Sequence, residues 1–213
     1  MEEIKIDYLQ APLEIYLSRL ASGDPVPGGG SAAALVLSLS ASLLSMVANF
    51  TIGKKRFAQF EPEAKEILER TESIRKESAD LVEEDSRVYL KYRQAAAMDK
   101  ADPNRTPALF QAVRDGNILL LKITGLTREV LQLAKPLLEK GNPYLVSDVA
   151  CAAALVRSAY ESAEMNILIN FAGQPGLEEE AGIKEDLNRI REVVFSESGR
   201  ILSETKRRLS KTL

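Results

Sequence analysis

Two groups in this 213-residue chain are best suited to chemistry: the glycine run Gly28-Gly29-Gly30 and the carboxyl of Asp85. Three consecutive glycines leave bare backbone, and Ser31 follows them directly before a helix-forming segment, where it is expected as the N-cap. Unpaired N–H groups and the helix dipole at such a terminus favour an anion or the polar edge of a ligand. A tight turn between helices accounts for the same residues. Asp85 lies in Leu81-Val82-Glu83-Glu84-Asp85, one turn from Leu81 and Val88. Helical periodicity turns Asp85 toward an inner face and Glu83 and Glu84 outward. Desolvation would raise its pKa, which suits a general acid or base near neutrality; on so charged a helix, a solvated acidic face is the alternative. Asn142, Ser147 and Asp148 mark the end of one helix and the start of another, with Ser147 or Asp148 as an N-cap or as a ligand contact. Asn166 and Asn170, one helical turn apart in an apolar stretch, need partners if buried, either across helices or on a ligand. Lys54, with Lys55 and Arg56, follows the second helix at the end where positive charge is favourable.

Composition removes several chemistries. The chain has no histidine, so it holds neither a Ser-His-Asp nor a Cys-His arrangement and no histidine-ligated metal. Its one cysteine, Cys151, forms no internal disulfide and reads as a small buried apolar residue suited to the reducing cytoplasm. Gly28, Gly30 and Ala33 fit the loose G-x-G-x-x-G/A spacing, but no strand precedes them, and no Gly-Lys-Ser/Thr of a P-loop follows. A net charge of −3 gives no reason to expect nucleic acid as a partner. The acidic start Met1-Glu2-Glu3 lacks the order of a signal peptide. Residues 25–53 carry no charge, long enough for a bilayer span, but five serines and Asn49 between 31 and 49 point instead to the central helix of a soluble bundle.

The elements that must position these groups read as helical nearly throughout. A first helix over about 9–21 places Leu13, Leu17 and Leu20 on one face. The second, about 31–51, is rich in Ala and Ser and lets its neighbours approach closely, as at the centre of a bundle or at a subunit interface. A charged helix runs from Pro62 to about Met98, with Ile67, Ile74, Leu81 and Val88 spaced by sevens. Thr106-Pro107 reads as an N-cap and first-turn pair opening a helix that ends at Gly141-Asn142-Pro143. Further helices are expected over about 147–171 and 177–209, after a turn at 172–176. The fold class is all-α: an antiparallel bundle of five to six helices in a single domain spanning 1–213. The stretch from Phe110 to Leu131 carries no functional signal.

The passages Asp24-Pro25-Val26-Pro27-Gly28-Gly29-Gly30-Ser31, Leu81 to Tyr89 and Gly141 to Val149 occur in one order along most of the chain. Together they resemble the cyclodeaminase/cyclohydrolase family of folate enzymes. That resemblance implies a tetrahydrofolate derivative as substrate, with no metal or redox cofactor. It implies formiminotetrahydrofolate cyclodeaminase, with methenyltetrahydrofolate cyclohydrolase as the alternative activity; the long amphipathic helices and the charged third helix, taken without the resemblance, leave a non-enzymatic helical interaction protein as a more distant alternative. Asp85 is then the catalytic carboxyl. Gly28, Gly29, Gly30, Ser31, Asn142, Ser147, Asp148, Asn166, Asn170 and Lys54 are the residues expected to bind substrate; Asp148 would meet a pterin edge and Lys54 a glutamate tail. A homodimer with its pocket near the subunit junction is implied as well, and a separate formiminotransferase would supply a cyclodeaminase. Neither nucleic acid nor a membrane is an expected partner.

Overall fold

The computed structural model describes residues 7–173 and 176–211. The opening residues 1–6 and positions 174 and 175 of the expected turn lie outside them. Six helices follow in order: α1 (Leu13–Leu20), α2 (Gly29–Asn49), α3 (Glu61–Ala96), α4 (Arg105–Lys140), α5 (Val146–Gly173) and α6 (Glu180–Leu209). Short 3-10 turns, Lys55–Phe57 and Pro143–Leu145, punctuate the connections, and no strand occurs among the described residues. The bundle is the all-α architecture that the periodicity predicts.

α2 is the axis of the fold. It packs most extensively against α3 and α5 and also touches α4. Ala33, Ala34, Ala41 and Ala48 are buried on it, and the absence of bulk lets the neighbouring helices close in. Its buried serines bond outward to those neighbours. Ser38 Oγ donates to Arg75 O, Ser40 Oγ to Ala152 O, and Ser45 Oγ to Thr71 Oγ1. α2 is also the described helix long and apolar enough to cross a membrane, but 61% of its apolar window is buried within the fold, as in a core helix. The sevens of α3 point inward as expected: Ile67, Ile74, Leu81 and Val88 are all buried.

Several local expectations are corrected. α1 buries Tyr16, while Leu13, Leu17 and Leu20 stay exposed. Tyr16 anchors this eight-residue helix: its ring meets Tyr8 edge-on at 5.4 Å and its hydroxyl bonds to α2. Ser31 is not the N-cap of α2; Gly28, in extended conformation, takes that position, and Ser31 sits in the first turn. The α4 cap is Asn104 rather than Thr106, which lies inside the helix with Pro107. α5 begins at Val146, so Ser147 and Asp148 belong to its first turn rather than its cap. Asn142 is the residue that caps, accepting the Tyr144 amide into Oδ1 at 3.1 Å. Cys151 is exposed: α5 is alanine-rich on nearly every side, so its sequence carries little information about which side faces out. Glu83 is more enclosed than expected, holding the Leu9 amide and Arg87 with a side chain 13% exposed.

Candidate active site

The first turn of α2 and the middle of α3 meet through Ser31 and Asp85. The Ser31 amide donates to Asp85 Oδ2 at 2.8 Å. Ser31 Oγ donates its one hydrogen to Val82 O at 2.9 Å, so Tyr16 must be the donor in the 3.1 Å contact between its hydroxyl and Ser31 Oγ. One serine thus fastens α1, α2 and α3 together and fixes where the Asp85 carboxylate stands.

The glycines are there for space. A Cβ on Gly30 would overlap Asp85 Oδ1, and one on Gly29 would stand 2.8 Å from Asn166 Nδ2; at Gly28 a Cβ would meet nothing within 4 Å. Two glycines therefore let α3 and α5 side chains lie directly on the α2 backbone. The amides of Gly29 and Gly30 belong to the first turn, where helix geometry provides no intrahelical acceptor.

Burial pushes the Asp85 carboxyl up from 3.8 to about 6, and the hydrogen bond from the Ser31 amide opposes that shift only in part. No cation pairs with it among the described residues. A carboxyl in this state exchanges its proton near neutral pH, as a general acid or base requires.

Asp85 opens onto a cavity of about 430 Å³, within the range of small-molecule sites. Gly28, Gly29 and Gly30 form one side of it, Val88, Tyr89 and Tyr92 a second, Val113, Gly116 and Leu120 a third, and Asn166, Ile169 and Asn170 the last. The Tyr89 and Tyr92 rings stack at 6.1 Å and an interplanar angle of 30°. Asn166 donates to Ser162 O within its own helix, whereas Asn170 donates across to Asn117 Oδ1 on α4 at 2.9 Å. The α4 wall is what sequence reasoning missed. A glycine next to an asparagine, Gly116-Asn117, inside a long amphipathic helix was the available signal.

The structure gathers Gly28, Gly29, Gly30, Ser31, Asp85, Asn166 and Asn170 at one end of α2. Lys54, Asn142, Ser147 and Asp148 lie at the other. The Asn142 amide donates to Thr51 Oγ1 and its Nδ2 to Phe50 O, just beyond the last turn of α2. Twenty-one helical residues separate the ends, about 30 Å at the helical rise. Lys54 and Ser147 are exposed there, and Asp148 sits in the first turn of α5. Among the described residues no group of three or more His, Cys, Asp or Glu could hold a metal ion.

Fold and cavity define a helical-bundle protein with a pocket of small-molecule size and a buried carboxyl of raised pKa in its wall. The chain belongs to the formiminotransferase-cyclodeaminase family, whose model matches residues 12–189. It is 31% identical over 191 residues to the methenyltetrahydrofolate cyclohydrolase of Methylorubrum extorquens, covering 88% of this chain and 90% of that protein. It is 28% identical over 167 residues to the formimidoyltransferase-cyclodeaminase of Rattus norvegicus, covering 76% of this chain and 31% of the relative, so it spans about a third of that protein's length. The crystal structure of formiminotetrahydrofolate cyclodeaminase from Thermotoga maritima shares the fold, with a TM-score of 0.80 over 97% of this chain and 99% of that one at 23% identity.

Proposed function

We propose that this protein is a folate-dependent one-carbon enzyme, a formiminotetrahydrofolate cyclodeaminase that forms 5,10-methenyltetrahydrofolate and releases ammonia. The observation that carries the reading is Asp85, a carboxyl raised to about 6 and anchored at the wall of a 430 Å³ cavity in a chain of this family. In this reaction N10 attacks the formimino carbon, the five-membered ring closes, and the C–N bond to the departing nitrogen breaks. A proton leaves N10 and one reaches the leaving nitrogen. Asp85, poised near neutrality, serves both transfers in turn. The stacked Tyr89 and Tyr92 offer aromatic surface to the pterin, and the bare amides of Gly29 and Gly30 offer donors to its polar edge. None of these steps calls on a metal or a redox cofactor.

A second reading, methenyltetrahydrofolate cyclohydrolase, is favoured by the likeness to the Methylorubrum enzyme over nearly its whole length. There water adds to the methenyl carbon and the ring opens, again with proton transfer at one carboxyl. A paired assay decides between them, with formiminotetrahydrofolate and methenyltetrahydrofolate offered separately to the purified protein. Ammonia release with a rise in methenyl absorbance is the expected result. Fast loss of methenyl absorbance without ammonia from the first substrate moves the assignment to cyclohydrolase, and inactivity on both refutes the folate reading.

The reading extends to a cytoplasmic single-domain enzyme that works as a homodimer, fed by a separate formiminotransferase. Exposed leucines on α1 and the half-buried apolar face of α2, with Leu35, Leu39 and Leu43, support self-association. Lys54, Asn142, Ser147 and Asp148 stand about 30 Å from Asp85 along α2, so they serve this cavity only from a second subunit. Mixing inactive Asp85→Asn with Asp148→Asn subunits tests that arrangement: recovered activity supports it, and none counts against it.

A further inference from the structure

Asn117 is 2% exposed in the middle of α4, and its Nδ2 is buried without an acceptor among the described residues. An unpaired buried amide donor costs about 1–3 kcal/mol. Stability alone would place leucine there, which has the same branching and no polar atoms. The compensation is on the other side of the amide, where Asn117 Oδ1 accepts a hydrogen bond from Asn170 Nδ2 at 2.9 Å. Asn170 lines the cavity beside Asn166 and Ile169, and its Oδ1 is neither hydrogen-bonded nor buried.

A carboxamide at a cavity wall has two orientations about its last torsion, one presenting oxygen and the other nitrogen. In this structure an Asn170 N–H is committed toward α4 and its carbonyl oxygen remains available to a ligand. We propose that Asn117 is a positioning residue that locks the Asn170 carboxamide so that its carbonyl oxygen accepts an N–H of the bound folate. This rests on the folate reading. The pterin and formimino groups of that substrate are rich in N–H donors, and the reversed amide would set donor against donor. The buried, half-satisfied side chain of Asn117 is the cost of that selection.

The test combines melting curves with steady-state kinetics on wild type, Asn117→Leu, Asn117→Asp, Asn170→Ala and the Asn117→Leu/Asn170→Ala double variant. Asn117→Leu is expected to melt at or above the wild-type temperature, because the unpaired donor is gone. Its KM for the folate substrate nevertheless rises about tenfold while kcat changes less than about twofold, the pattern of lost uniform binding. Asn170→Ala gives a similar rise, and the double variant adds nothing to it. Asn117→Asp keeps an oxygen facing Asn170 Nδ2 and brings KM back to within about threefold of wild type. If Asn117→Leu does not fold, Asn117→Ala supplies the same KM comparison. An unchanged KM with a lowered melting temperature, or an additive double variant, overturns the proposal and leaves Asn117 a structural residue. Wild-type protein inactive on both folates refutes the folate reading as well, whereas an active wild type with an unaffected Asn117→Leu refutes this proposal alone.

Discussion

Replacing Asp85 by asparagine should give a protein that is more stable and no longer active. Burial lifts the carboxyl from 3.8 to about 6, so the folded state holds this proton more tightly than the unfolded chain does. Stability from this group is therefore fully present below about pH 4 and is lost as pH rises through 6. A shift of this size, at 1.36 kcal/mol per unit, amounts to about 3 kcal/mol at pH 8 and about 1 kcal/mol at pH 4.5. Asparagine is neutral throughout and keeps an oxygen for the Ser31 amide. It gives up the attraction between a carboxylate and the α2 N-terminus, about 0.3–1 kcal/mol. Asp85→Asn is thus expected to exceed wild type by about 2–3 kcal/mol at pH 8, with the gap narrowing toward pH 4.5. Urea denaturation followed by circular dichroism at pH 4.5, 6 and 8 measures it. In parallel, kcat should fall about 10²–10⁴-fold, and wild-type kcat/KM should show an inflection near 6. A variant no more stable than wild type at pH 8, or a stability difference independent of pH, would refute the claim that Asp85 is held in a desolvated state.

Other expectations concern the packing around that site. Gly30→Ala places a Cβ against Asp85 Oδ1 and should abolish activity and cost about 1–3 kcal/mol, whereas Gly28→Ala meets nothing and should stay within about 0.5 kcal/mol of wild type; thermal melts and the ammonia assay separate the two. Tyr160 is fully buried with its hydroxyl 3.0 Å from Glu164 Oε1 and 2.6 Å from Leu187 O, so Tyr160→Phe should cost about 1–3 kcal/mol in a urea melt. Its turnover per folded molecule should not change, because this link joins α5 to α6 away from the cavity. Cys151, exposed on α5, should react with one equivalent of a thiol reagent in the native protein; reaction only after denaturation would show it to be covered.

Much of the architecture was legible because it depends on near neighbours in the chain. Pro62, Gly141-Asn142-Pro143 and the glycine run break or start helices through backbone constraints, and all three fall at observed boundaries. The sevens of α3 exposed its inner face, and with it the inward lean of Asp85. The small residues of α2 marked it as central, since only a helix with little bulk can be packed from several sides. Where a helix is weakly amphipathic or very short, this logic fails: the pattern of α5 says little about the side on which Cys151 lies, and the leucine face of α1 stays exposed while Tyr16 is buried.

The residues of the cavity divide along the same line. By itself, the sequence determined that a bare-glycine helix start, a carboxyl on an amphipathic helix and a pair of asparagines were present, because residue type and helical period are local properties. Only the tertiary structure decided which of them meet. Antiparallel packing brings residues 30, 85 and 166 to one end of α2 and carries Asn142 and Asp148 to the other, and it slots Gly116 into the cavity wall with Asn117 bonded to Asn170. Those meetings depend on how far each helix slides and turns against its neighbours, which is settled by the fit of all the buried side chains together and not by any one stretch of chain.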